Sequence, residues 1–233
     1  MGKTLKIAFL RTLPVLCGYL VMGIAFGILL QSEGYNYVWA FFISLFVYAG
    51  SMQFVLVSFL GGGINILYAA VLTLSINSRH MFYGLSFIEK FRSMGKKAVY
   101  MIFSLTDETY SLLCSNKTPD GINENRLLFF IALLDHSYWI AGSVVGALIG
   151  QLISFDTKGI DFAMTALFTV IMVEQWYSFK SHLPAIVGGI SSIACIILFG
   201  AGNFILPSLI VTVITLMLLR CKVEVKLEEG EGA

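Results

Sequence analysis

Charge is scarce in this chain: Asp, Glu, Lys and Arg make up 12% of its 233 residues, against about 25% in an ordinary soluble domain. Hydrophobic residues make up 58%, more apolar surface than a soluble fold of this length can hide. The marks of an enzyme are also missing. There is no G-x-S-x-G elbow, no H-E-x-x-H pair and no Walker lysine, and the three histidines are isolated. Cys17, Cys114, Cys195 and Cys221 form no C-x-x-C pair. Three of them lie in apolar runs, where a thiol behaves as a small hydrophobe, so neither a metal, a disulfide nor a cofactor is expected. No nucleic-acid partner is expected either, and the net charge of +1 says little, since in a membrane protein the distribution of charge matters more than its total.

What the chain has is long apolar runs, beginning with 13–30 and 37–60. Crossing the hydrocarbon core takes about 20 apolar residues in a helix, so the length accommodates about seven or eight spans with short connections. In lipid a helix satisfies its own backbone, and the runs lack the alternation of barrel strands. The predicted fold is therefore all-α: one polytopic membrane helix bundle over 1–219, followed by a charged, disordered tail over 220–233. The spans are expected at 13–30, 37–60, 64–88, 98–115, 126–150, 161–179, 184–199 and 204–219. Lys3, Lys6 and Arg11 precede the first of them without an acid, which puts the N-terminus in the cytoplasm. The first run is too long for a signal-peptide core and lacks a small-residue exit, so it reads as a retained span.

A second basic cluster, Lys90, Arg92, Lys96 and Lys97, also belongs in the cytoplasm by the positive-inside rule. Two spans return the chain to that side. Residues 64–88 must then enter and return, which predicts two short helices meeting at Asn77 to His80, with a single long crossing as the alternative.

Eight ionisable side chains lie inside or beside apolar runs: Arg79, His80, Asp107, Glu108, Asp135, His136, Asp161 and Glu174. A charge at mid-bilayer costs about 2.5 to 3.5 kcal/mol on insertion scales, so something polar is handled in the membrane. Gly50, Ser51 and Gln53 interrupt the second run. Backbone freed at such a break, with a half-helix N-terminus, suits a carboxylate, and equally the same residues suit close packing and an interhelical hydrogen bond. Asn77, Arg79 and His80 form the densest polar patch, where Arg79 can hold a carboxylate or snorkel to headgroups. Asp107 and Glu108 are adjacent acids within a run, about 100° apart on a helix, and either can trade a proton or meet an ammonium group. Asp135 shares a helical face with Trp139, Gly142, Gly146 and Gly150, a small-residue face that packs on protein. His136 is its neighbour on another face, Asp161 reads as a helix cap, and Glu174 as an interfacial residue beside Trp176. Gly23 and Gly27 echo the later glycines.

Taken together these stretches resemble the AzlC family of branched-chain amino-acid permeases. The resemblance is carried by Leu13-Pro14-Val15 with Gly18-Tyr19 and Gly23-Ile-Ala-Phe-Gly27, by Tyr48-Ala-Gly-Ser-Met-Gln-Phe54, by Asn77-Ser-Arg-His80 with Tyr83, and by Thr106-Asp-Glu-Thr109. Gly159-Ile-Asp-Phe-Ala163 with Ala166-Leu-Phe168 adds a weaker match. It implies a multispanning exporter of branched-chain amino acids in the bacterial inner membrane, working with a small AzlD-type membrane protein. A small hydrophobic amino acid then needs a carboxylate site, from Gly50 or Asn77 to Arg79, and an ammonium site, from Asp107, Glu108 or Asp135. Proton exchange is the simplest coupling. The competing readings are an intramembrane hydrolase using His80 or His136, for which no nucleophile is visible, and a nontransporting assembly subunit.

Overall fold

The computed structural model describes residues 2–62, 65–115, 118–152, 169, 172–173, 176–177, 182–200 and 204–219. All regular structure among them is helical. Two compact units divide the chain, Met1–Ala163 and Met164–Ala233.

The first unit is organised around two long helices, α1 (Gly2–Ser32) and α8 (Glu124–Leu152). With 31 and 29 residues, they are about 46 and 44 Å long at 1.5 Å per residue, more than the hydrocarbon core requires. α1 starts well before residue 13 because Pro14 does not end it and Lys3 and Lys6 extend it on an exposed surface. The two helices run parallel. Thr12 meets Tyr138 at 3.0 Å, Tyr19 meets Trp139, Gly23 abuts Gly142, and Gln31 lies against Gly150. Glycines make this seam possible, since a Cβ at Gly23 would lie 3.0 Å from the Ser143 amide nitrogen, and one at Gly146 would collide with the Ile24 backbone. Without a hydrophobic drive between helices in lipid, such backbone contact is what holds them. The small-residue face expected to pack against protein therefore packs against α1. The glycine echo is two halves of one interface.

Between these helices the chain makes two turns into the middle of the bundle, from opposite ends. Asn36 caps α2 (Tyr37–Phe46), its side chain accepting from the Val38 amide at 3.1 Å. The chain then breaks at residues 47–49 and resumes as α3 (Gly50–Gly62). α2 begins beside the C-terminal end of α1, and α3 finishes there too, with Gly61 against the Glu33 carboxylate. The tip lies inward, where Ser44 and Gln53 reach His136 and Trp139 in the middle of α8. Residues 37–60 were expected as one crossing with an interruption. The interruption is present, but it is the tip of a re-entrant hairpin, with arms of about 15 and 20 Å.

α4 (Ile66–Ser86) is one unbroken helix, which corrects the paired helices expected to meet at Asn77 to His80. No proline interrupts it. The polar patch is absorbed within the helix as the Ser75 and Ser78 hydroxyls donate back to the carbonyls of Val71 and Ser75, at 2.8 Å each. At 21 residues it is about 32 Å long, enough for a crossing. It delivers Phe87, Phe91 and Met94 into a cluster with Ala8 of α1 and Leu127 and Leu128 of α8. The short helix α5 (Ile88–Arg92) thus carries the second basic cluster to the same end as Lys3 and Lys6, as the charge pattern requires, and Lys90 pairs with Glu124. The re-entrant element the charges demand is α2–α3 and not 64–88.

The second hairpin starts from that basic end. α6 (Lys97–Phe103) places the Lys97 ammonium over Phe129, 4.7 Å from the ring centre, and Phe103 against His136. After a break at residues 104–106, α7 (Asp107–Ser115) returns, with Thr109 on Asp135 and Leu113 back in the cluster with Leu127 and Leu128. This corrects the single outward span expected over 98–115. Thr106 turns the chain by capping α7, its hydroxyl accepting from the Thr109 amide at 3.3 Å.

In the second unit α9 (Leu183–Phe199), with Pro184 in its first turn, packs on α10 (Ile205–Leu218). Both match the expected spans within a residue. The span expected over 161–179 is described only at residues 169, 172–173 and 176–177. Asp161, Glu174 and the tail 220–233 lie outside the described residues.

Candidate functional site

The two hairpin tips meet at mid-bundle. Tyr48, at the first tip, holds φ at +38°, a left-handed conformation that costs a non-glycine residue about 1–3 kcal/mol and persists where the surroundings fix it. They do so here through its ring, whose centre lies 4.2 Å from that of His136 and 6.3 Å from that of Phe103 on the second hairpin. The break also frees the last carbonyls of α2. His136 takes up the Ser44 carbonyl through Nε2 at 3.2 Å. A carbonyl only accepts, so Nε2 carries the hydrogen and Nδ1 faces the Tyr100 hydroxyl of α6 at 3.0 Å. One imidazole thereby joins α2, α6 and α8.

Gln53 closes the first tip. Its carbonyl oxygen accepts from the Trp139 indole at 2.8 Å and its amide donates to the Ser44 hydroxyl at 3.3 Å. Trp139 in turn covers Gly50, where a Cβ would stand 3.3 Å from the indole ring. The amide that might have met a ligand therefore holds the hairpin to α8, and Gly50 and Ser51 stand in the first turn of α3.

A chain of hydroxyls joins the acids. Tyr19 of α1 donates to Glu108 Oε2 at 2.8 Å and lies 2.6 Å from the Thr106 hydroxyl. Thr106 bonds Thr109 at 3.1 Å, and Thr109 bonds Asp135 Oδ2 at 3.0 Å. Asp135 is fully buried. Asp107 sits with Glu108 in the first turn of α7, where negative charge complements the helix dipole. Two buried polar atoms around the tips, Ser104 Oγ and Asp135 Oδ1, have no partner among the described residues, and the buried Tyr48 hydroxyl lies beside Tyr19 and Thr109. Buried polar groups are nearly always paired, so these two call for a bound water, ion or ligand.

Of the residues singled out in the sequence, Gly50, Ser51, Gln53, Glu108 and Asp135 belong to this centre, and Asp107 borders it. Asn77 and His80 lie on α4. His80 stacks edge-on with Tyr83, which stacks on Tyr110 of α7 at 4.5 Å, so this helix borders the second hairpin. The Arg79 side chain lies outside the described residues. Tyr19, Ser44, Ser104, Thr109 and Trp139 went unnoticed as site residues because single hydroxyls and aromatics are common in membrane helices. The readable signal was Thr106 followed by two acids, a helix-start pattern inside an apparent span.

Comparison with known proteins shows what the chain is similar to. A family model described as AzlC protein matches residues 14–153. The branched-chain amino acid transport protein AzlC of Bacillus subtilis is 42% identical over 93% of this chain and 85% of its own length. An uncharacterized membrane protein of Helicobacter pylori is 41% identical over 95% of this chain and 97% of its own. The inner membrane protein YgaZ of Escherichia coli is 25% identical over 89% and 87%. No solved structure matches.

Proposed function

The chain belongs to the AzlC family, and we propose that it exports branched-chain amino acids, valine, leucine, isoleucine or close analogues, from bacterial cells in exchange for protons, together with a small AzlD-type partner. The observation that carries this reading is the meeting of two re-entrant tips around unpartnered buried polar atoms. Discontinuous helices at the bilayer midplane are where transporters bind small ions and zwitterions. The substrate carboxylate takes the N-terminus of α3 at Gly50 and Ser51, where the helix dipole favours an anion. Its ammonium takes Glu108 and Asp135, with Asp107 beside them, and Tyr48 and Ser104 supply neutral hydroxyls. The aromatic wall of Tyr48 and Phe103 receives the aliphatic side chain. Asn77, Arg79 and His80 of α4 are the alternative carriers of that carboxylate.

Because the hairpins enter from opposite ends, each tip separates the centre from one face, and moving one tip at a time gives alternating access. The basic end, with Lys3, Lys6, Lys90 and Arg92, faces the cytoplasm of a cell whose inner membrane holds the protein. The test is efflux of labelled valine from proteoliposomes containing the protein with and without its partner. Wild type should carry valine, and Glu108→Gln or Asp135→Asn variants that still insert should lose at least ten-fold. No valine flux in wild type with its partner present, or full flux in both variants, would defeat the reading.

A further inference from the structure

Tyr19, Thr106 and Thr109 stand in line between two carboxyl groups, and their protons can be counted. Four gaps separate Glu108 Oε2 from Asp135 Oδ2, of 2.8, 2.6, 3.1 and 3.0 Å. Each is a hydrogen-bond distance for oxygen pairs, and each bond requires one proton. The three hydroxyls supply three. When Tyr19 donates to Glu108, Thr106 to Thr109, and Thr109 to Asp135, the gap between Tyr19 and Thr106 faces lone pair against lone pair, although it is the shortest of the four. The Thr109 amide hydrogen points at Thr106 from the backbone and does not fill it.

We infer that Glu108 and Asp135 share one proton through this hydroxyl wire, so that the two carboxyls act as a single proton carrier. A proton on Glu108 frees the Tyr19 hydrogen for Thr106 and completes the four bonds. A proton on Asp135 completes them in the opposite sense. Passage between the ends moves one proton from Asp135 to Thr109, that of Thr109 to Thr106, that of Thr106 to Tyr19, and that of Tyr19 to Glu108, with no net change in the hydroxyls. The wire ties two helices to the second hairpin tip: Tyr19 comes from α1, Asp135 from α8, and the rest from the break and first turn of α7. A tip movement that pulls Thr106 or Thr109 away cuts the wire. Each fragment then has at least as many protons as gaps, and the shared proton is released from its bonding role. Proton state and tip position are thereby coupled, which rests on the transport reading only for the cargo moved. Among the described residues, the titratable groups near the wire include Tyr48 at the first tip, which meets Tyr19 and Thr109, Tyr100 on α6 and Tyr138 on α8. His136 and Asp107 are sequence neighbours of the two ends. The tyrosines are phenols that stay neutral at ordinary pH.

Infrared titration of the protein in nanodiscs reads the carbonyl stretch of a protonated carboxyl and needs no substrate. Asp135→Asn identifies the Asp135 band. Glu108→Gln should shift the pH at which that band disappears, and with Thr109→Val in place the same substitution should shift it less than a third as far. Thr109→Ser keeps the hydroxyl and should restore the full shift. If Thr109→Val does not insert, Tyr19→Phe opens the wire at another link and serves the same comparison. Equal shifts with and without the hydroxyl would mean coupling through space alone and would overturn the wire, as would the lack of any protonated carboxyl at neutral pH that both acids influence. In proteoliposomes the protons moved per valine should fall at least ten-fold in Thr109→Val, and an unchanged ratio overturns the inference. A wire demonstrated by the infrared comparison in a protein that carries no valine supports this inference and overturns the transport reading.

Discussion

Gly27→Ala is the most economical test of the α1–α8 seam, because it adds one methyl group to a helix that would otherwise welcome alanine. A Cβ at Gly27 would stand 2.5 Å from the Ala147 amide nitrogen and 2.9 Å from the Gly146 carbonyl carbon, and would collide with the Ser143 carbonyl oxygen. All three are backbone atoms, so no side chain can swing away. Ordinary contact lies near 3.5 Å, which means the helices must part by about 1 Å, and a gap of that size forfeits about a quarter to a half of each dispersion contact along the seam. Overpacking of this kind costs about 1–3 kcal/mol.

The displacement also reaches the site. Tyr19 lies two turns before Gly27, edge-on to Trp139 with ring centres 5.3 Å apart. An increase of about 1 Å takes its 2.6 Å contact with Thr106 to the limit of a hydrogen bond. The expected result is a lower melting temperature in detergent and valine efflux reduced at least ten-fold. Gly18→Ala is the matched control, since a Cβ there meets nothing within 4 Å. It should equal or exceed wild-type stability, because alanine is preferred over glycine in a helix by about 1 kcal/mol. Equal melting temperatures and equal flux for the two variants would refute the seam as the element that positions Tyr19.

Three further expectations follow from the tips and the topology. Tyr48→Phe removes the buried hydroxyl beside Tyr19 and Thr109 and keeps the ring on His136, so the protein should remain folded by thermal shift while valine efflux falls ten-fold or more; full efflux would remove Tyr48 from the site. Gln53→Leu leaves the buried Trp139 indole without an acceptor, a loss of about 1–3 kcal/mol, and a melting temperature equal to wild type would show that another acceptor takes its place. Ser93→Cys, in a protein whose native cysteines are replaced, should react with an impermeant thiol reagent only from the cytoplasmic side, and labelling of intact cells would invert the topology.

Much of the fold could be read from the chain because lipid imposes simple rules. Apolar length gave α8, α9 and α10 to within two residues at each end, and small-residue spacing identified the face of α8 that carries Asp135. The basic residues forced an extra reversal before Lys90, and the reversal exists. Its location was not readable, because 37–60 has the right length for either a broken crossing or a hairpin. What decides is a long-range contact, Gly61 against the Glu33 carboxylate, which no local pattern announces. Residues 77–80 misled in the other direction: four polar residues look like a break, yet helix geometry lets Ser75 and Ser78 satisfy themselves on carbonyls one turn back.

The site shows the same division between chemistry that composition reveals and chemistry that only geometry reveals. An acid in an apolar run is expensive wherever it stands, so Glu108 and Asp135 were visible as functional candidates from cost alone. A hydroxyl in such a run is cheap, a threonine's because it can return to its own helix and a tyrosine's because it sits on a large apolar ring, so cost alone did not single out Tyr19 or Thr109. Their significance lies in number and order. Two carboxylates in direct contact would repel, and two held far apart would titrate separately; three hydroxyls between them set a definite proton requirement that neither acid has by itself. With residues 19, 106, 109 and 135 drawn from α1, the second hairpin and α8, that requirement can be met only when the tip is seated against both long helices. The glycine seam, the re-entrant break and the buried acids are thus parts of one arrangement in which a proton count depends on a helix position.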